Sequence, residues 1–97
     1  MKILALEHEV PGAVMEAFER HKTEEARKAW DLYQAGIFRE LYFRADRNEA
    51  VLVLECESLE EAQKILSTLP FVQNRLIAFE VIPLKAYPGF NRLFSNE

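Results

Sequence analysis

Cysteine, histidine, glycine and basic charge are all scarce in this chain, and each shortage closes off a class of function. Cys56 is the single cysteine in 97 residues, which leaves no intrachain disulfide and no multi-cysteine zinc site. Only His8 and His21 could add imidazole ligands, and neither an HExxH pair nor an Asp/Asn-rich loop accompanies them, so no metal is expected. Gly12, Gly36 and Gly89 stand singly, without the clustering a phosphate-cradling loop needs, and no cofactor is implied. Twelve basic side chains against sixteen acidic ones, mixed along the chain, give a net charge of −4 and no basic stripe, so nucleic acid is not an expected partner. The longest uninterrupted apolar run, Ala50 to Leu54, is far short of the ~20 residues a membrane span requires. No membrane association is expected. The opening MKILALEHEV meets two glutamates and a histidine before any apolar stretch of signal-peptide length, which fits a cytoplasmic protein without a secretion leader.

What is present is the patterning of one small globular domain, 49% hydrophobic and 29% charged. A core this size is modest, so an oligomer is expected. Residues 2 to 8 alternate as a strand, closed by Pro11-Gly12. A short helical piece from Ala13 to Arg20 gives way at His21-Lys22. Thr23 then offers an N-cap to a second helix with Glu24 and Glu25 in its first turn, Ala26, Ala29, Trp30 and Tyr33 at helical spacing, and Gly36 as the left-handed residue beyond its end. Residues 37 to 45 and 50 to 57 read as a β-hairpin about Arg47-Asn48. Ser58 and Glu61 form a capping box before the stripe Leu59, Ala62, Ile65, Leu66 and Leu69, which Pro70 halts, and a last strand covers residues 76 to 82. The order βαββαβ predicts an α+β, ferredoxin-like fold, a four-stranded antiparallel sheet with two helices on one face. Residues 1 to 83 would form the domain. Residues 84 to 97, carrying Leu84, Tyr87, Phe90, Leu93 and Phe94, would form an arm that crosses a neighbouring subunit or else folds back on its own domain.

Two groups of polar residues stand out. If the first and third strands run parallel at the centre of the sheet, Leu4, Leu6, Leu52 and Leu54 share the helix-covered face, with His8, Cys56 and Arg39 at its rim. An imidazole that titrates near neutrality and a guanidinium that grips carboxylate would then be a proton carrier and a substrate anchor, unless both simply reach solvent. Cys56 reads as a small core residue. On the other face lie Glu7, Glu40, Tyr42, Arg44, Glu55 and Glu80 among Ile3, Ala5, Val51, Val53 and Ala78. With the turn at Arg47-Asn48, Glu40 would oppose Glu55, either as an acid–base pair or as charges in a half-wet subunit interface. Trp30, Tyr33 and Phe18 would line a ligand cavity or be plain core.

The run Gly36-Ile-Phe-Arg-Glu-Leu-Tyr, a short turn, a strand, Ser58-Leu-Glu-Glu-Ala, Leu69-Pro70 and a closing strand resembles muconolactone isomerase over residues 24 to 88. The resemblance implies a dimeric α/β barrel, often in larger rings with exchanged C-terminal arms. It also implies a cofactor-free proton shift within a small carboxylated lactone of aromatic catabolism. Arg39 falls at the family's arginine. Glu40 stands where the family can carry histidine, and Tyr87 replaces its late histidine. The site residues this reading offers are His8 and Arg39 for catalysis, with Trp30, Tyr33, Glu40, Tyr42 and Glu55 for binding. The competing expectation is a non-catalytic ligand-binding or assembly module of the same fold.

Overall fold

A computed structural model describes residues 1–95. The elements run β1 (Lys2–Glu9), α1 (Met15–Gln34), β2 (Phe38–Phe43), β3 (Ala50–Glu55), α2 (Leu59–Leu66), α3 (Pro70–Gln73), β4 (Ile77–Pro83) and α4 (Asn91–Phe94). The strands form one antiparallel sheet in the order β2-β3-β1-β4, the ferredoxin-like arrangement. Helix residues Leu32, Ala62 and Leu66 join Ile3, Ala5, Phe38, Leu52 and Leu54 in a single buried cluster on one face of that sheet.

Helix α1 is continuous across His21-Lys22, contrary to the expected break. Neither residue is a helix breaker, and Lys22 pairs with Glu19 at 2.7 Å one turn earlier. The continuous helix also changes which side faces inward. Phe18, Lys22, Glu25, Ala29 and Leu32, spaced by four and three residues, form the sheet-facing stripe, and Leu32 is its buried end. Trp30 and Tyr33 lie outside that stripe at 57% and 47% exposure, so neither is core. The C-terminus follows expectation. Gly36 takes φ +78°, and Ile37 N–H closes the turn on the Leu32 carbonyl at 3.0 Å.

The central strands β1 and β3 run antiparallel, not parallel, with Ile3 opposite Leu54 and Ala5 opposite Leu52. Directly opposed residues share a face, so Ile3 and Ala5 are the β1 residues under the helices, and Leu4, Leu6 and His8 belong to the outer face. Both alternating sets of β1 are apolar, and alternation alone could not choose between them. Antiparallel pairing also sends the His8 end of β1 away from the end of β3 that carries Glu55 and Cys56.

The β2–β3 register is shifted by two residues from the expected one, because the turn centres one residue earlier, on Asp46-Arg47. Leu41 pairs with Leu52, Tyr42 with Val51 and Phe43 with Ala50, and an irregularity between Phe38 and Glu40 leaves Arg39 out of the ladder. The Arg44 side chain stabilises this turn by gripping the Asp46 carboxylate through two hydrogen bonds of 2.9 and 2.7 Å. Glu40 therefore opposes Val53, and the Glu40–Glu55 pair does not form. Helix α2 is capped as expected, with Glu61 N–H donating to Ser58 Oγ at 3.0 Å. It ends at Leu66 rather than Pro70, because Pro70 starts the separate short helix α3 as its first residue.

Beyond β4 the chain leaves the domain. Tyr87, Phe90, Leu93 and Phe94 are 67%, 65%, 73% and 81% exposed, so the arm does not fold back onto its own core. The radius of gyration, 16.2 Å, reflects this projection; a compact chain of this size would measure about 13 Å. The last two residues of the expected arm lie outside the described residues.

Candidate active site

A cavity of about 520 Å³ opens between the stripe of α1 and the inner face of the sheet, a size suited to a small organic molecule. Its walls are mostly apolar: Phe18 and Ala29 from α1, Leu41 and Phe43 from β2, Leu52 from β3 and Phe79 from β4. Phe71, from α3, closes one side and meets Phe18 edge to face, with ring centroids 5.1 Å apart.

Two carboxylates project into this apolar space. Glu7 continues the inward set of Ile3 and Ala5 on β1, and Glu25 sits mid-way along the inward stripe of α1. Each is half-buried and held by one backbone donor. Ala50 N–H donates to Glu7 Oε1 at 3.2 Å, and Phe71 N–H donates to Glu25 Oε1 at 2.8 Å. Burial pushes both carboxyl groups above the ordinary glutamate range, and the backbone donors only partly offset it. Glu7 adds repulsion that raises Glu25 further, while Glu49 and Glu9 raise Glu7. A desolvated pair whose members resist ionising is suited to holding and passing a proton.

The raised values carry a stability consequence whose sign follows from linkage. A folded state that holds a proton more tightly than the unfolded chain is favoured at low pH, and the advantage is lost as pH rises through the raised value. Glu25→Gln keeps an oxygen for the Phe71 N–H but cannot ionise. It is expected to resist urea better than the wild type at about pH 8, with the difference closing towards about pH 4. Urea midpoints across that range check this; a variant less stable at alkaline pH would contradict it.

The expected site residues are dispersed around this cavity. Phe18 and Tyr42 are the ones among them that line it, Tyr42 at the rim, 57% exposed, where its hydroxyl donates to Glu40 Oε1 at 2.8 Å on the outer side. Glu40 is exposed, and it raises the Tyr42 hydroxyl's pKa through that bond. His8 is exposed on the outer face opposite Ala78. Arg39 is exposed where the ladder breaks and donates from Nε to the Gly36 carbonyl. Glu55 binds the Met1 ammonium, which holds its carboxyl below the ordinary range. Trp30 and Tyr33 line a separate shallow groove with Ala26, Ala29 and Leu41, their ring centroids 6.0 Å apart. The structure thus brings neither His8 and Arg39 nor Glu40 and Glu55 together. Cys56 is a buried free thiol, raised in pKa chiefly by desolvation. Among the described residues no group of three or more His, Cys, Asp or Glu side chains is placed to hold a metal ion.

The sequence reading placed Glu7 on the outer face and Glu25 in a helix's first turn, so neither was put in a site, although the second left a signal. A charged residue at core spacing, four before Ala29 and seven after Phe18, marks a place where the helix faces a polar-tolerant space. The supposed break at His21-Lys22 hid it by making Glu25 a first-turn residue.

A ferredoxin-like α+β sheet with a mostly apolar cavity between its helices and its inner face defines the class of this protein. Within that class the chain belongs to the muconolactone delta-isomerase family, whose model matches residues 4–89. The fold is also that of 5-chloro-2-hydroxyhydroquinone dehydrochlorinase (TftG) from Burkholderia phenoliruptrix AC1100, solved in complex with 2,5-dihydroxybenzoquinone. The likeness has a TM-score of 0.69 at 17% identity and covers 92% of this chain and 98% of that one. No curated protein sequence matches the chain.

Proposed function

We propose that this protein catalyses proton transfer within a small unsaturated lactone, or a related ring of aromatic catabolism, using Glu7 and Glu25 as its acid–base pair. The observation that carries the reading is the presence of two half-buried carboxyl groups of raised pKa in one apolar cavity of about 520 Å³. Membership of an isomerase family supports the reaction type.

In the reaction one carboxylate removes the proton from the carbon next to the lactone carbonyl. The electron pair of that C–H bond forms the new carbon–carbon double bond of a dienolate. The protonated partner then donates to the far carbon of the conjugated system, and the original double bond moves one position. One proton leaves and one returns, so the balance needs no oxidant or reductant. The backbone donors from Ala50 and Phe71 keep the two carboxyl groups aimed while their charges change. The apolar walls exclude water from the dienolate.

Calorimetry against a panel of lactones and small aromatic acids, with product analysis of the same samples, tests the reading. Binding with isomerised product supports it. Binding without turnover across the panel would instead favour a ligand-binding module.

Assembly is part of the proposal. The outer sheet face carries half-buried Leu4, Leu6, Val51 and Val53 beside exposed Glu40 and Glu80, a mixture suited to pairing with a second copy of the chain. The projecting arm would cross to a neighbouring subunit. Deleting residues 84–97 is expected to lower the assembled mass in sedimentation; an unchanged mass would show that the arm plays no part.

A further inference from the structure

The charge of the cavity lining is lopsided. Glu7, Glu9, Glu19 and Glu25 all line it, against Lys22, and the Lys22 ammonium already pairs with Glu19 at 2.7 Å. Among the described residues, no arginine or histidine lines the cavity. Arg39, the guanidinium that the family resemblance would make a carboxylate anchor, is turned to the Gly36 carbonyl outside it. Resting on the reading that this cavity is the reaction site, we infer that its ligand is uncharged: a neutral unsaturated lactone, or a ring bearing only carbonyl and hydroxyl groups, and not a carboxylic acid.

The chemistry of the lining fits such a molecule at each end. The aromatic and aliphatic walls take up an apolar ring. A protonated glutamate donates to a ring carbonyl, an ionised one accepts from a hydroxyl, and the Asn48 amide at the rim can do either. A carboxylate in the same place would meet like charge from glutamates in a low-dielectric space. Its one cationic partner would have to be taken from Glu19. The acids that make proton transfer possible are thus also the filter against acidic ligands.

A matched pair of lactones tests this on the full chain: 5-methyl-2(3H)-furanone, which is neutral, and its analogue carrying a carboxymethyl group in place of the methyl. Dissociation constants from calorimetry at neutral pH are expected to favour the neutral lactone by about tenfold or more. Glu9→Gln combined with Glu19→Gln removes two rim charges and frees Lys22, so it should bring the ratio towards unity by improving binding of the carboxylate. Equal or tighter binding of the carboxylate by the wild type overturns the inference, as does failure of both lactones to bind at millimolar concentration. Deuterium uptake into the two lactones, followed in parallel in heavy water, separates this failure from that of the proton-transfer reading. A neutral preference without any uptake sinks the reaction and leaves the charge filter standing. Uptake into a carboxylate bound as tightly as its neutral partner does the reverse.

Discussion

Glu25→Gln, in an enzyme that otherwise folds and binds as the wild type does, is expected to lower kcat by about two to four orders of magnitude. Glutamine fills the same volume and can still accept from the Phe71 N–H that holds Glu25 at 2.8 Å. What it cannot do is gain or lose a proton. The loss should therefore fall on kcat, with KM changed far less, because the interaction removed belongs to the transition state. Glu7→Gln should behave in the same way, since its side chain has an equivalent backbone donor in Ala50. The double variant should fall little further than the worse single one, as expected of two groups that act as a unit. Steady-state kinetics on a lactone found by the panel, with calorimetry to verify binding, measures both quantities. A variant that loses binding and turnover in parallel would point to a structural role for the carboxylate.

Phe38→Ala should cost about 3–5 kcal/mol, the range for emptying a fully buried aromatic position. Phe38 is 1% exposed, sits opposite Leu54 at the start of β2, and also lines the floor of the cavity. Against a typical total stability of about 5–15 kcal/mol, that loss leaves a domain of this size close to unfolding at room temperature. Phe38→Leu keeps most of the volume and should cost far less, about 1.5 kcal/mol or below, if packing is the cause. Urea denaturation of the two variants distinguishes them. Equal, small losses would mean that the site closes over the missing ring.

The order of elements was legible because each rests on local chemistry: Gly36 ending α1, Ser58 capping α2, and alternation in the strands. Register and facing were less so, since they are settled by partners far away in the chain. Ile3 and Ala5 against Leu4 and Leu6 is a choice between two apolar sets, and only the antiparallel pairing with Leu54 and Leu52 decides it. Once β1 is turned the right way, Glu7 moves from the outer face into the cavity and His8 moves out. The hairpin taught a similar lesson. A turn read one residue late kept Leu41, Leu52 and Leu54 on the inner face but paired Glu40 with Glu55, where the fold pairs Glu40 with Val53, and alternation could not show the irregularity that turns Phe38 inward. The family resemblance named the fold correctly from the run Gly36 to Pro70, yet Glu7 lies on β1, outside the span of that resemblance, and Glu25 at its very start, ahead of the run that carries it. Exposed aromatics were a further source of misreading, because helical spacing cannot tell an inward stripe from an outward one, and Trp30 and Tyr33 proved to be the latter.

The most direct test of the central claim is deuterium uptake during turnover in heavy water, read by proton NMR at the carbon beside the lactone carbonyl. Wild-type protein is expected to exchange that position and to place deuterium at the far carbon of the isomerised product. The Glu7→Gln and Glu25→Gln variants should both lose this exchange, while His8→Ala and Arg39→Ala, altered on the outside of the sheet and at its irregular edge, should retain it. Exchange that persists in both glutamine variants, or that disappears on replacing His8 or Arg39 instead, would contradict the assignment of proton transfer to the cavity carboxylates.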